Sequence, residues 1–187
     1  FLDSIHESPA EAVEGADLVV LCAPVGANVD IAAAIAGSLR PGAIVTDVGS
    51  VKQAIVRDVG PFIPAGVHLV PGHPVAGTEK SGPDHGFAEL FEDRYCILTP
   101  PPGTDEAAVD KVGELWRRAG SRVEVMDPHH HDRVLLELSP QPALCTSLSA
   151  FLVPCHSGNV FLPANNGIEV SISTKMHPAL HISPPLP

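Results

Sequence analysis

Basic side chains are scarce in this 187-residue sequence: 11 Lys and Arg stand against 22 Asp and Glu. So acidic a balance disfavours nucleic acid and anionic membranes as partners, since both select basic surfaces. No apolar run reaches the length of a membrane span. The opening "FLDSIHESP" lacks both the basic start and the apolar core of a signal peptide. A cytoplasmic protein is therefore expected. The four cysteines, Cys22, Cys96, Cys145 and Cys155, show no CxxC spacing. That points to reduced core residues and away from a disulfide frame or a metal site. What remains is a chain long enough for one domain with its own core.

Strand and helix signals alternate up to about residue 138. "SPAE", Ser8 to Glu11, has the capping-box pattern with Pro9 at the first helical position. "DLVVLCAPV" is an apolar run of strand length, and "NVDIAAAIAGSL" reads as a helix stopped by "RPG". "AIVTDVG" predicts a second strand, and the helix after it takes Ser50 as N-cap. "HLVPG", "YCILTP" and "SRVEVMD" predict three more strands. Between the last two, Thr104 to Gly120 has acids in the first turn, arginines in the last and glycine just past the end. Continuous apolar strands between helices predict one mainly parallel sheet, covered by helices on both faces. Ligands bind such sheets at the carboxyl ends of the strands. Those ends hold Ala23-Pro24-Val25-Gly26, Asp47-Val48-Gly49-Ser50 and Gly72-His73-Pro74.

Past Leu138 the character changes. From Ser139 to Pro187 the only acidic or basic side chains are Glu169 and Lys175, proline is frequent, and no helical period holds. Short apolar pieces such as "SAFLVP" and "GNVFLP" could form weak strands. The segment is expected to pack loosely.

One loop is longer than a connector needs, which is about four to six residues. "VPGHPVAGTEKSGPDHGF", Val70 to Phe87, is rich in glycine and proline and carries His73 at its mouth. This loop carries a resemblance together with "ADLVVLCAPVG", "GAIVTDVGSVK" and "VEVMDPHHHD". The four segments, spread from Ala12 to Leu138, resemble the prephenate/arogenate (cyclohexadienyl) dehydrogenase family in order and spacing. The resemblance implies an α/β, Rossmann-like domain and an NAD- or NADP-dependent oxidation of prephenate or arogenate. That reaction loses carbon dioxide and serves tyrosine biosynthesis.

Residue by residue, the resemblance makes His73 the proton acceptor for the ring hydroxyl, and Ser50 the residue that orients it against the nicotinamide. Glu79, with Gly77 and Thr78 beside it, would lie at the substrate's edge. Pro24, Val25 and Asp47 would line the nicotinamide side of the cofactor with Ser50. The loop is then long because it wraps a substrate. No metal is implied.

The sequence departs from the family at both ends. No GxGxxG occurs, so the fold is expected to lack the first βαβ unit that holds the cofactor's diphosphate. Ser139-Pro140-Gln141-Pro142-Ala143 stands where the family has an SHLPH-like motif and then a helical domain through which it dimerises. The expected organisation is an incomplete dinucleotide-binding domain over 1–138 and an irregular Pro-rich tail over 139–187.

Plainer readings stand beside these. Ser50 is adequate as a helix cap, and Asp47 as a carboxylate serving backbone donors. His129-His130-His131 point in different directions on a helix and suit no shared metal, so they read as a helix start after Asp127-Pro128. Trp116 is most simply core. The rival enzyme is a 3-hydroxyacid or 6-phosphogluconate dehydrogenase relative, which would share the strand ends but not the "HPVAGTE" loop. The rival outside enzymes is a remnant that neither binds cofactor nor turns over.

Overall fold

The computed structural model describes residues 2–76, 86–138, 159–163 and 169–173. Its elements follow the expected alternation. Strand β1 (Leu2–Ser4) leads through helix α1 (Pro9–Ala12) to β2 (Leu18–Leu21), and α2 (Asn28–Ile35) leads to β3 (Ile44–Asp47). Helix α3 (Lys52–Val59) precedes β4 (His68–Leu69) and β5 (Gly72–Pro74). Strand β6 (Tyr95–Leu98), helix α4 (Glu106–Arg118), β7 (Arg122–Val125) and α5 (Pro128–Leu138) complete the first part. Beyond them lie β8 (Asn159–Pro163) and β9 (Glu169–Ser173).

The expected single sheet is divided in two. The larger has the order β1-β8-β9-β2-β3-β4, and the smaller the order β5-β6-β7. Strands β2, β3 and β4 are parallel neighbours, as the alternation predicts. The division falls inside the run read as one third strand. Val70 still donates to Val45 of β3, but Pro71 instead accepts from Thr99 at the end of β6. Beyond it β5 pairs antiparallel with β6. Proline has no N–H with which to continue a ladder, which makes Pro71 a natural point to change partners. Gly72 makes the change sterically possible. A Cβ there would stand 3.2 Å from the Asp47 carbonyl and 3.3 Å from Leu98.

Strands β1 and β2 run in the same direction but lie two strand positions apart, with β8 and β9 between them. In the doubly wound order 3-2-1-4-5-6, strands 3 and 4 have this relation. The hairpin of β8 and β9 takes the positions of strands 2 and 1, and β9 is antiparallel to β2. Part of the segment expected to be loose thus pairs through its backbone into the main sheet. "SAFLVP" lies outside the described residues.

Burial explains why β2 and β3 read as continuous apolar runs. Val19, Leu21 and Val45 pack on one face with Ile31, Ile35, Ile55 and Val59 of α2 and α3. Leu18 and Ile44 pack on the other with Val70, Leu98, Val112 and Trp116. Alternate residues serve opposite faces, and both are covered. Trp116 is core, as expected, with its ring edge-on to Phe91 at 5.2 Å between centroids. Cys22 and Cys96 are both buried.

Helix starts follow the sequence unevenly. Asp105 caps α4 by accepting from the Ala107 amide at 2.9 Å, and Gly120 ends that helix at φ +92°. Pro9 opens α1 as expected, but Ser8 makes no side-chain cap bond. Ser50 is not the N-cap of α3. Val51 holds that place and has no side chain to cap with.

Candidate active site

The missing cap of α3 comes from far along the chain. Asp132 of α5 accepts from the Lys52 amide through Oδ1 at 2.8 Å and from the Gln53 amide through Oδ2 at 3.0 Å. A carboxylate at a helix start satisfies two orphan donors and meets the positive end of the dipole. Burial by itself would raise the Asp132 carboxyl, but these amides and the His131 ring outweigh it and hold it below the usual range. This contact docks α5 against the start of α3.

A second carboxylate ties the strand ends together. Asp47 closes β3 and is buried. It accepts from Gly49 N at 2.8 Å, from Gly72 N at 3.3 Å and from Lys52 Nζ at 2.6 Å. Lys52, also fully buried, gives a further bond to the Gly72 carbonyl at 2.7 Å. Burial drives the Asp47 carboxyl up and the Lys52 ammonium down, and their mutual attraction opposes both shifts. One carboxylate therefore holds the Gly49-Ser50 turn and the residue before His73. Val25, past the end of β2, approaches the same turn, since a Cβ on Gly49 would stand 3.1 Å from Val25 Cγ2.

His73 lies on β5 with 4% of its surface exposed. Its Nδ1 is 3.0 Å from Nε2 of His131, and the two rings meet edge to face. His131 Nδ1 is in turn 2.8 Å from Asp132 Oδ1. Burial, then the neighbouring Lys52 charge, lowers the His73 pKa to about 3, against Asp132, which acts to raise it. Burial also lowers His131, while its bond to Asp132 opposes the shift. Both imidazoles are neutral at physiological pH. The same burial pushes the Cys96 thiol up, so Cys96 is inert packing.

Through Asp47 the structure brings the Gly49-Ser50 turn at the carboxyl end of β3 beside Gly72, so that His73 comes near it, but on a strand of the smaller sheet and not at the carboxyl end of a third parallel strand as expected. It adds Lys52, His131 and Asp132, to which the sequence reading assigned no role. Of the three consecutive histidines His131 alone turns inward, while His129 and His130 are exposed. Their divergence on the helix was legible; which of them would face the site was not. Gly77, Thr78, Glu79 and His85 lie outside the described residues. Among the described residues, no group of His, Cys, Asp and Glu could hold a metal ion. Nor is any helix among them long and apolar enough to cross a membrane.

The neutral histidines make a testable demand on stability. His73 has an ordinary pKa of 6.5 when unfolded and about 3 when folded, so between those values the unfolded chain binds the extra proton. Stability contributed by neutral His73 is therefore present above 6.5 and falls with acidification, by about 1.4 kcal/mol per pH unit for one proton. Urea unfolding across this range should show His73→Asn to be less pH-sensitive than the parent by roughly that slope. Equal slopes would show that His73 titrates normally in the folded state.

The sequence model of the prephenate dehydrogenase nucleotide-binding domain matches residues 2–125. The cyclohexadienyl dehydrogenase of Zymomonas mobilis is 42% identical over 140 residues, covering 75% of this chain and 47% of the relative. The crystal structure of prephenate dehydrogenase from Aquifex aeolicus superposes with a TM-score of 0.66 at 37% identity, over 72% of this chain and 48% of that one. The structure of the A. aeolicus enzyme in complex with hydroxyphenyl propionate and NAD+ superposes with a TM-score of 0.59 at 39% identity, over 64% of this chain and 41% of that one. The chain spans about half the length of the relatives it matches.

Proposed function

Because this chain belongs to the prephenate dehydrogenase family through its nucleotide-binding domain, we propose that it supplies the cofactor side and the proton acceptor for oxidative decarboxylation of prephenate or arogenate. The observation that carries the proposal is a buried, neutral His73 tied to the Ser50 turn through Asp47. A neutral imidazole is the form that can take a proton.

The residues fit the nicotinamide half of a dinucleotide. Pro24, Val25 and the Gly49-Ser50 turn form adjoining strand ends, and Asp47 shapes that turn from behind. Asn28, at the start of α2, is buried with both amide atoms unpartnered among the described residues, and so is a polar group available to a ligand. The sequence offers no GxGxxG for the diphosphate. A bound nicotinamide would supply the acceptor for the hydride that leaves the ring carbon bearing the hydroxyl.

The rest is the work of this chain. His73 takes the hydroxyl proton as the ring gains aromaticity and loses its carboxylate as carbon dioxide. Ser50 orients the hydroxyl and the histidine. Glu79, with Gly77 and Thr78, meets the substrate's outer edge. The choice between the substrates and between NAD and NADP is read by steady-state assay of a full-length enzyme carrying this domain, with each pairing in turn. Reduced nicotinamide should form with prephenate or arogenate. Formation only with 3-hydroxyacids would refute the proposal.

A further inference from the structure

Resting on His73 as the base, we infer that His131 and Asp132 are positioning residues that fix His73 in the tautomer protonated on Nδ1, leaving Nε2 as the proton acceptor. The assignment starts from Asp132. Its two oxygens accept the Lys52 and Gln53 amides at the start of α3. A carboxylate so placed is ionised and has no proton to donate. His131 Nδ1, 2.8 Å from Oδ1, must then be the protonated nitrogen of that ring. A neutral imidazole has one N–H, so Nε2 of His131 presents a lone pair. That lone pair faces His73 Nδ1 at 3.0 Å, and His73 Nδ1 must be the donor. The only unprotonated nitrogen left on His73 is Nε2.

His73 thus donates to His131 and His131 to Asp132, whose carboxylate accepts at the helix start it caps. In serine hydrolases a single carboxylate orients the base in this way; here a second imidazole stands between. The arrangement also responds to the reaction. Once the hydroxyl proton reaches Nε2, His73 is an imidazolium whose Nδ1–H is already directed at a lone pair. Other titratable groups around His73 are Lys52 of α3, Asp47 of β3 and Cys96 of β6. Lys52 disfavours the cation, and Asp132 favours it through space. Burial of His131, at 0% exposure, keeps water from replacing it as the acceptor.

Tautomers are read directly by long-range proton–nitrogen correlation NMR on the full chain labelled with ¹⁵N-histidine, with His73 assigned by its loss in His73→Gln. The wild-type spectrum should show His73 protonated on Nδ1 and bare on Nε2. His131→Leu should move His73 toward the Nε2-protonated form, which isolated imidazoles prefer. His131→Gln places an amide oxygen within reach and should restore the Nδ1-protonated form. In a full-length enzyme carrying this domain, His131→Leu should lower kcat by about 10- to 100-fold, the usual cost of removing an orienting partner. His131→Gln should recover part of that loss, and KM and NADH affinity should stay near wild type. An Nε2-protonated His73 in the wild type overturns the inference without any variant. An unchanged tautomer in His131→Leu overturns it equally. Failure of the underlying reading looks different: His73→Asn would keep its turnover whatever tautomer NMR reports.

Discussion

His73→Asn should lower the turnover of a full-length enzyme carrying this domain by about 10²- to 10⁴-fold, the range of general-base assistance, or roughly 3–5 kcal/mol of barrier. Cofactor affinity should barely change. Asparagine is close in size and can still hydrogen-bond the ring hydroxyl, but it cannot accept the proton at neutral pH. It can also keep a contact toward His131, so the loss would report the proton and not a collapsed site. Ser50→Ala should cost less, because it removes an orienting hydroxyl and leaves the acceptor in place. The pH dependence of kcat, which reports groups in the substrate complex, provides the control. The acidic limb of the parent belongs to His73 with substrate present and should vanish in His73→Asn. Near-parental turnover with an unchanged acidic limb would remove His73 from the mechanism.

Lys52→Met should be the most destabilising single change in the site, by about 3–5 kcal/mol near neutral pH. Methionine fills much of the lysine stem but strands the buried Asp47 carboxylate without its 2.6 Å partner and frees the Gly72 carbonyl. The sign of the pH effect follows. With Lys52 gone, Asp47 has a folded pKa raised above its unfolded value of 3.8, so the folded state keeps the proton longer. Stability then falls as pH rises, and the deficit against the parent should shrink on acidification. Asp47→Asn combined with Lys52→Met should cost less than the two single changes added, because neither charge is left alone. Urea unfolding of the three variants at neutral and mildly acidic pH measures this. Strict additivity would mean that the pair does not act as a unit.

The strands and helices up to Leu138 were legible because two local signals agree there. Apolar runs such as Leu18–Leu21 mark strands buried on both faces, and Asp105, Gly120 and Pro9 mark helix ends. The change of partner at Pro71 was not legible, although its cause was visible as a proline followed by glycine. Which sheet each half joins depends on where Thr99 and Val45 lie, and neither is near in sequence. The same holds for the site. Asp47 and the Ser50 turn sit at the carboxyl end of β3, where a parallel sheet places its ligands, and His73 follows on β5. His131 meets His73 across 58 residues and Asp132 meets Lys52 across 80, and together they leave one indirect trace. Helix α3 begins at Val51-Lys52 with no capping side chain of its own, so a carboxylate had to come from elsewhere. Strand β8 was legible as the short apolar piece "GNVFLP", but its pairing with β9 and into the main sheet was not, since the segment carries almost no charge and no helical period.

The central claim is that this domain couples hydride loss to decarboxylation through His73. The direct measurement follows reduced nicotinamide and carbon dioxide together in a full-length enzyme carrying the domain, supplied with prephenate or arogenate. The account predicts that the two appear in equal amounts and at one rate, and that both fall together in His73→Asn. Reduced nicotinamide formed without carbon dioxide, or formed equally well by His73→Asn, would contradict it.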